Sequence, residues 1–192
     1  MNLSCNEKFN ISEVPMKKFL AMTMILAALL CSCGGDTVEA EESAVSVNVD
    51  EVINTVVTDY SLTDGFVFTS SSTELGEYLD DDLIMGYYGD AVDVPDFTKI
   101  SEYCVYIDES DPNVFIDVGL FKLNDASYAD TLMQYFQTRI DDKIAKAASG
   151  YPDVDVPTLE AATIDKYGDY VYYVISYDVD AITADIEAAL GK

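Results

Sequence analysis

The order of strands and helices constrains the fold of this chain more than any other feature of its sequence. Two apolar runs, residues 103–107 and 114–121, flank the turn-rich segment 108–113, and this pattern predicts a β-hairpin. A long helix follows, because apolar residues recur four apart at Leu132, Phe136, Ile140 and Ile144. Residues 101–149 are therefore expected to form two strands and one helix.

The two ends of this helix are marked by particular residues. Asn124 or Asp125 opens the helix and Gly150 closes it. Lys143 and Lys146 lie near its C-terminus, where positive charge interacts favourably with the helix dipole. A long helix with both ends marked is therefore expected.

The same order recurs in residues 160–190. A second hairpin runs through residues 162–164 and 170–177 and turns at 167–169. A final helix presents one apolar stripe, formed by Val179, Ile182, Ile186 and Leu190. The two units predict an α+β fold, in which two hairpins build one antiparallel sheet and the helices pack on one face in the order ββα-ββα. Side-chain identity between the units is slight, so a true internal repeat stays an open alternative.

Further helices are expected before the first hairpin. Apolar positions in residues 49–60 recur at helical spacing, and Asn48 is placed to cap that helix, with Glu51 three residues on. Residues 66–89 predict one or two short helices that end at Gly89. The predicted sheet therefore carries N-terminal helices as well.

The N-terminal segment resembles the export signal of a lipoprotein. Residues 16–18 supply positive charge, residues 19–30 form an apolar run, and Cys33 follows Leu30, Cys31 and Ser32. A helix of that run spans about 18 Å, well short of a hydrocarbon core of about 30 Å, so a signal segment is favoured over a transmembrane helix. A buried core helix is the other alternative. We expect the signal to be removed and Cys33 to be lipidated.

These predictions divide the chain into four parts. Residues 1–15 are either a mis-assigned extension, if translation starts at Met16, or a cytosolic one, and residues 16–32 are the signal peptide. Residues 33–47 form a lipid-anchored, flexible and acidic tether, because they are too poor in large apolar groups to pack. Residues 48–192 form a single α+β domain. The expected location is the outer face of the bacterial cell membrane, with the N-terminal lipid as the contact to that membrane.

Charge and composition exclude several classes of function. The formal net charge is −26, and basic residues do not cluster after Lys18, so nucleic-acid binding is excluded. The chain contains no histidine, which excludes Ser-His-Asp and Cys-His catalysis and histidine-based zinc or copper sites. A solvated acidic face is favoured over a Ca²⁺ site for the aspartates at 80–82, 90, 93 and 96, whose spacing differs from that of an EF-hand. No catalytic residue, metal or cofactor is predicted.

The positions of the cysteines also argue against catalysis in the predicted domain. Of the four cysteines, Cys104 is the one that lies in the predicted domain, so no intramolecular disulfide is expected there. Cys104 lies in an apolar strand and lacks a base, which predicts a buried structural thiol rather than a nucleophile.

Two features provide candidate binding residues. Arg139 is the only arginine of the chain, and an intramolecular ion pair and an anchor for a ligand carboxylate are the alternatives for it. In the second hairpin, Tyr170 and Tyr172 alternate with a more aliphatic set, formed by Val171, Tyr173, Ile175 and Tyr177. If helices cover one face, the aliphatic set packs into the core and Tyr170 and Tyr172 face outward toward a partner. Ordinary packing of tyrosines within the sheet is the alternative.

Three stretches carry a resemblance to a known family. Residues 79–89 include Tyr87-Tyr88-Gly89, residues 136–141 read Phe-Gln-Thr-Arg-Ile-Asp, and residues 166–178 begin Lys-Tyr-Gly-Asp-Tyr-Val. In this order they resemble the DUF4358 family of bacterial lipoproteins, over residues 49–190. The resemblance implies a lipoprotein signal, a tether and one domain with this element order. It implies no activity and no catalytic residues.

The function expected from these observations is a non-catalytic binding or interaction module at the cell envelope. An envelope protein or a glycan is the expected partner. An envelope enzyme that uses acidic residues and a purely structural envelope protein are the alternatives.

Overall fold

Five α-helices and five strands make up the part of the chain that the computed structural model describes, residues 45–89, 93–111, 113–149 and 153–192. The helices are α1 (Val49–Asp59), α2 (Asp81–Tyr88), α3 (Ala129–Ala148), α4 (Val156–Glu160) and α5 (Val179–Leu190). The strands are β1 (Phe66–Thr69), β2 (Ile100–Asp108), β3 (Ile116–Leu123), β4 (Thr163–Tyr167) and β5 (Tyr170–Ile175). Short 3₁₀ turns at Phe97–Lys99 and Ala126–Tyr128 precede β2 and α3.

The strands form one open antiparallel sheet in the order β1-β2-β3-β5-β4. This confirms the α+β class and both predicted hairpins, β2–β3 and β4–β5. The hairpins join through β3 and β5, where Gly119 lies opposite Tyr173 and Leu120 lies opposite Tyr172. The two strands at this junction therefore lie inside the sheet rather than at its edges.

Helices cover both faces of the sheet, so the prediction that they pack on one face is wrong. On one face, α2 and α3 pack over Tyr103, Val105, Phe121, Val171 and Tyr173. On the opposite face, α1 and α5 pack over Cys104, Tyr106, Leu120, Tyr170 and Tyr172. All six residues of β5 are buried as a result, which is typical of a strand that is covered on both sides.

The segment between α1 and β2 differs most from expectation. Residues 66–69 form the edge strand β1, which pairs with β2 so that Phe68 lies opposite Val105. One helix, α2, forms in this segment: Asp80 caps it through a hydrogen bond to the backbone N–H of Leu83, and the helix ends before Gly89 as predicted. A four-residue strand has too few alternating residues to be distinguished by its sequence pattern, so pairing with β2 decides its conformation.

The other predicted helices form where their periodicity indicated. Asn48 caps α1 by accepting hydrogen bonds from the backbone N–H groups of Asp50 and Glu51. Asp125 caps the 3₁₀ turn that leads into α3, and α3 ends at Ala148. Gly150, predicted to close this helix, lies outside the described residues.

The predictions for the N-terminal segment concern residues that the structure does not describe. Residues 1–44, which include the extension, the signal segment, Cys33 and most of the tether, lie outside the described residues. Within residues 45–89, 93–111, 113–149 and 153–192, no helix combines the length and the apolar character needed to cross a bilayer.

Candidate functional site

A network of charged and phenolic groups lies inside the core on the face covered by α2 and α3. Asp117 of β3 is almost fully buried, and its Oδ2 accepts hydrogen bonds from Arg139 Nε at 3.0 Å and Nη2 at 2.6 Å. The hydroxyl of Tyr173 donates to Asp117 Oδ1 at 2.6 Å, and that hydroxyl lies 2.7 Å from the hydroxyl of Tyr88. Both oxygens of the buried carboxylate are therefore engaged, as burial of a charge requires.

Gly119 makes the position of Tyr173 possible. The two residues lie opposite each other on β3 and β5. A Cβ atom on residue 119 would lie 2.6 Å from Cε1 of Tyr173, closer than side-chain atoms approach in folded proteins. The missing side chain lets the Tyr173 ring cross β3 and place its hydroxyl on Asp117.

Burial raises the pKa of both phenols in this network. For Tyr173 and Tyr88 the first cause is loss of water, and the second is the negative charge of Asp117, which opposes a phenolate beside it. The pKa of Arg139 is raised as well: burial opposes its charge most strongly, but Asp117, Tyr173 and Tyr88 together outweigh that opposition. The two phenols are consequently neutral donors, and Arg139 and Asp117 form an ion pair.

Arg139 also joins this network to the surface of the domain. Its Nη1 donates to the backbone oxygen of Tyr87 at 2.9 Å, and its guanidinium carbon lies 5.0 Å from the centre of the Tyr87 ring. Its Nη2 lies 3.4 Å from Oε1 of Glu109, in the connection between β2 and β3. Of the two alternatives for Arg139, the structure shows the intramolecular ion pair, and Asp117 is the principal partner.

Lys143 provides a second buried cation one helical turn after Arg139. Its side chain is 9% exposed, its Nζ donates to Oε1 of Glu109 at 2.9 Å, and it lies 3.6 Å from the centre of the Phe115 ring. The pKa of Lys143 is lowered, first by burial and then by the charge of Arg139. Burial would raise the pKa of Glu109, but the hydrogen bond and charge of Lys143, followed by Arg139, lower it overall. Both buried cations therefore contact one oxygen of a surface carboxylate.

A groove of about 450 Å³ opens above these groups between α2 and α3. Its charged lining consists of three cations and three carboxylates: Arg139, Lys143, Lys146, Asp82, Glu109 and Asp142. The three cations follow one another at helical spacing, so they lie on the same face of α3. Lys146 is exposed, and it forms no ion pair within the part of the chain that the structure describes. We define these twelve lining residues, centred on Arg139 and Lys143, as the α2–α3 groove.

A second depression, of about 520 Å³, lies between α1 and α5. Its lining charges are all acidic: Glu51, Asp59 and Asp185. Although this depression is larger, it offers no cation to an anionic ligand and no buried charged group. The α2–α3 groove is the better candidate site, because specific sites combine a concave surface with a few convergent polar groups.

Tyr170 and Tyr172 lie in the core, so the prediction that their rings face outward is wrong. They are 2% and 0% exposed, because α1 and α5 cover their face of the sheet. Their hydroxyls reach the rim of that core: Tyr170 accepts from the backbone N–H of Val47, and Tyr172 donates to Glu187 Oε1 at 2.8 Å. The rings are therefore unavailable for stacking against a partner.

The companion set on β5 agrees with its prediction except at its end. Val171, Tyr173 and Ile175 are buried as expected. Tyr177 was expected to join them in the core but is 60% exposed, because β5 ends at Ile175. Alternation predicts burial only as far as the strand continues.

Cys104 is fully buried, which confirms the prediction of a buried thiol. Burial raises its pKa, and the nearby Asp50 carboxylate raises it further. A thiolate, the reactive form, is thus disfavoured at neutral pH.

Two of the acidic residues considered for Ca²⁺ have separate local roles. Asp80 caps α2, and Asp96 caps the turn at Phe97–Lys99. Asp90 lies outside the described residues. Within the described ranges, no three or more His, Cys, Asp or Glu side chains are grouped so that they could hold a metal ion.

Sequence reasoning identified Arg139 but missed its partners. Asp117 had a detectable signal, since it is a single charge between apolar neighbours in a strand, in a chain that has one arginine. Such a charge is buried at low cost only when it is paired. Glu109 and Lys143 had no comparable signal, because acidic loop residues and lysines near helix ends are ordinary surface features.

Comparisons with known proteins match part of the site to a family domain. Residues 96–176 match the family model described as "Domain of unknown function (DUF4358)", and this range contains Asp117, Arg139, Lys143 and Tyr173. No curated protein and no solved structure matches the chain. The matched range includes β2, β3, α3 and the second hairpin, which contribute Asp117, Arg139 and Tyr173 to the buried network, whereas α2 with Tyr88 precedes it. The match over residues 96–176 therefore supports the DUF4358 family for this part of the chain.

Proposed function

We propose that this protein is a lipid-anchored extracytoplasmic lipoprotein whose folded domain is a non-catalytic binding module at the cell envelope. The anchoring half of the proposal is supported by the sequence around Cys33, where a positively charged segment and a short apolar run precede Leu30-Cys31-Ser32. The excess of negative charge would repel an anionic membrane surface, so attachment requires an apolar insertion or a lipid.

The α2–α3 groove carries the binding half of the proposal. Three of the seven basic residues that follow Cys33 in the sequence line this one concavity. The two inner cations, Arg139 and Lys143, have side chains that are 7% and 9% exposed, so they are held in fixed positions by packing. Fixed charges bind a ligand with less loss of conformational freedom than mobile surface lysines do.

Binding is favoured over catalysis by the way the buried acid is used. Asp117 is almost fully buried, and both of its oxygens already accept hydrogen bonds, from Tyr173 and from Arg139. A general acid or base must reach the proton that it transfers within hydrogen-bond distance. The arrangement supports a rigid binding surface, and an envelope enzyme that uses acidic residues remains the second candidate.

The anchor is tested by lipid labelling and cell fractionation. With the native chain, we expect a labelled fatty acid to be incorporated and the protein to sediment with membranes. Cys33→Ala should abolish labelling and either release the protein or leave its signal uncut, whereas the control Cys104→Ala should retain the label. Normal processing and unchanged membrane retention of Cys33→Ala would show that the anchor is absent.

The binding role is tested by capture from solubilised envelopes. The native full chain and a double variant, Lys143→Met with Lys146→Ala, would be compared, with Lys166→Ala as control because that exposed lysine pairs with Asp130 outside the groove. We expect a partner protein or glycan that the native chain and Lys166→Ala retain and the groove variant loses. Equal capture by all three chains would remove the groove from the proposal.

A further inference from the structure

We infer that the α2–α3 groove is a carboxylate-binding site in which Glu109 occupies the ligand position until an external carboxylate replaces it. This inference rests on the proposed binding role and names the chemical class of the ligand. Glu109 Oε1 lies 2.9 Å from Lys143 Nζ and 3.4 Å from Arg139 Nη2. One carboxylate oxygen is thus bound by two cations, which is the geometry of an anion site with an internal occupant.

The occupant and its site differ in exposure. The side chain of Glu109 is 43% exposed, whereas those of Arg139 and Lys143 are 7% and 9% exposed. A half-exposed carboxylate returns to water at small cost, but a buried ammonium that loses its counter-ion is strongly destabilised. Departure of Glu109 is therefore favourable only when another anion takes its place.

Lys143 depends on this position more than Arg139 does. Arg139 keeps Asp117 as a partner whatever Glu109 does. The ammonium of Lys143 can donate three hydrogen bonds, and in the described residues it donates one, to Glu109. Glu109 uses neither the remaining N–H donors of Lys143 nor the exposed Lys146 one turn later. These groups provide additional contacts for a ligand.

The rest of the lining favours a carboxylate over a phosphate. Asp82 and Asp142 line the groove, so a multiply charged anion would meet repulsion from them. A single carboxylate reproduces the charge and shape of Glu109, and Asp82 and Asp142 can accept hydrogen bonds from neighbouring donors of the same ligand. Such a carboxylate can belong to a peptide or to an acidic sugar.

The inference is tested by amide NMR titration of the purified full chain at constant ionic strength, with chloride as reference. N-acetylglycine represents the peptide source and glucuronate represents the sugar source. We expect saturable shifts of the amides near Arg139 and Lys143 with at least one probe, and the probe that binds more tightly identifies the source. Inorganic phosphate should bind more weakly than that probe.

Three variants distinguish displacement of Glu109 by the ligand from a general effect of charge on binding. Glu109→Gln removes the internal competitor, and if Glu109 fills the position about 90% of the time the affinity should rise about ten-fold. Lys146→Ala, which alters an exposed residue, should weaken binding about two- to five-fold, and Lys166→Ala should leave it unchanged. The spectra of each variant also report whether the fold is retained.

Two results would overturn the inference: no saturable shift with either probe in Glu109→Gln, or equal affinities of the native chain and Glu109→Gln. If either occurs while the groove variant still loses its envelope partner, the carboxylate class is wrong and the binding role stands. If envelope capture is also independent of the groove, the proposed function is wrong as well.

Discussion

The two faces of the sheet use tyrosine in opposite ways. On the face covered by α2 and α3, the hydroxyls of Tyr173 and Tyr88 lie in the core, where they contact each other and Tyr173 donates to Asp117. On the face covered by α1 and α5, the hydroxyls of Tyr170 and Tyr172 point to the rim, where they bond to Val47 and Glu187. The first face is built around a buried charge, and the second contains apolar rings whose polar ends reach the periphery.

The two faces contribute differently to the protein: one stabilises the fold, and the other fixes the position of Arg139. Apolar burial under α1 and α5 stabilises the fold directly, because it removes ring surface from water. A buried ion pair has a desolvation cost that offsets much of its attraction, so the Asp117–Arg139 pair adds little net stability compared with apolar packing. What the pair does is hold Arg139 in position beneath the α2–α3 groove.

Asp117→Ala should produce the largest effect, because it leaves the Arg139 guanidinium buried without its principal partner. We expect the free energy of unfolding to fall by ~3–5 kcal/mol. Denaturant unfolding followed by circular dichroism measures the change. The control is Asp117→Val combined with Arg139→Met, which removes both charges and should be destabilised less than the single variant. If Asp117→Ala is as stable as the native chain, the buried network does not stabilise the face covered by α2 and α3.

Tyr172→Ala tests the face covered by α1 and α5. Its effect on the free energy of unfolding should be similar to that of Asp117→Ala or slightly smaller. Truncating this fully buried ring should cost ~3–5 kcal/mol in the same assay. Tyr177→Ala is the matched control, since that ring is exposed and its loss should change stability by less than about 0.5 kcal/mol. A small effect of Tyr172→Ala would restore the interpretation of this ring as a surface residue.

Removing single hydroxyls sharpens the comparison between the faces. Tyr173→Phe leaves Oδ1 of the buried Asp117 without its donor and should cost ~1–3 kcal/mol. Tyr172→Phe removes a hydroxyl at the rim, where water can replace it at Glu187, and should cost less than about 1 kcal/mol. If thermal unfolding shows equal losses, the two hydroxyls have the same environment and the distinction between the faces is wrong.

The smallest expected effect is the pH dependence of the Glu109 contact. The pKa of Glu109 in the folded chain lies below its ordinary value of 4.5, so its ion pair stabilises the fold above about pH 5 and is lost as the pH falls through the folded pKa. Glu109→Gln should therefore be less stable than the native chain at pH 7, and the difference should shrink as the pH falls below 4.5 and through the folded pKa of Glu109. Asp142→Asn, which removes another groove carboxylate, is the control. A difference that stays constant across this range would contradict the assigned ion pair.

Most elements of this fold could be predicted because their patterns are local and long. The hairpins, α3 and α5 each contain several residues in register with one period, and these four predictions are confirmed. β1 was missed because its four residues acquire their strand conformation by pairing with β2. Coverage of both faces was also detectable in principle, since both alternating sets of β5 consist of aromatic and aliphatic residues.

The grouping of the site residues could not be predicted from local patterns, because these residues are far apart in the sequence. Arg139 and Asp117 are 22 residues apart, Tyr173 and Asp117 are 56 apart, and Tyr88 and Tyr173 are 85 apart. The identity of each residue was visible, but their meeting depends on how β3, β5, α2 and α3 pack. Glu109 becomes part of the groove because the connection that follows β2 begins beside α3, where Glu109 contacts Lys143.

The sequence by itself therefore determined most of the strands and helices, the absence of histidine chemistry, and the strongly acidic character of the chain. Tertiary structure alone decided which face of each strand is covered, and it turned Tyr170 and Tyr172 from predicted surface residues into core residues. The physical reason is that periodicity reports a residue's neighbours along one element, whereas burial and ion pairing depend on which elements pack together.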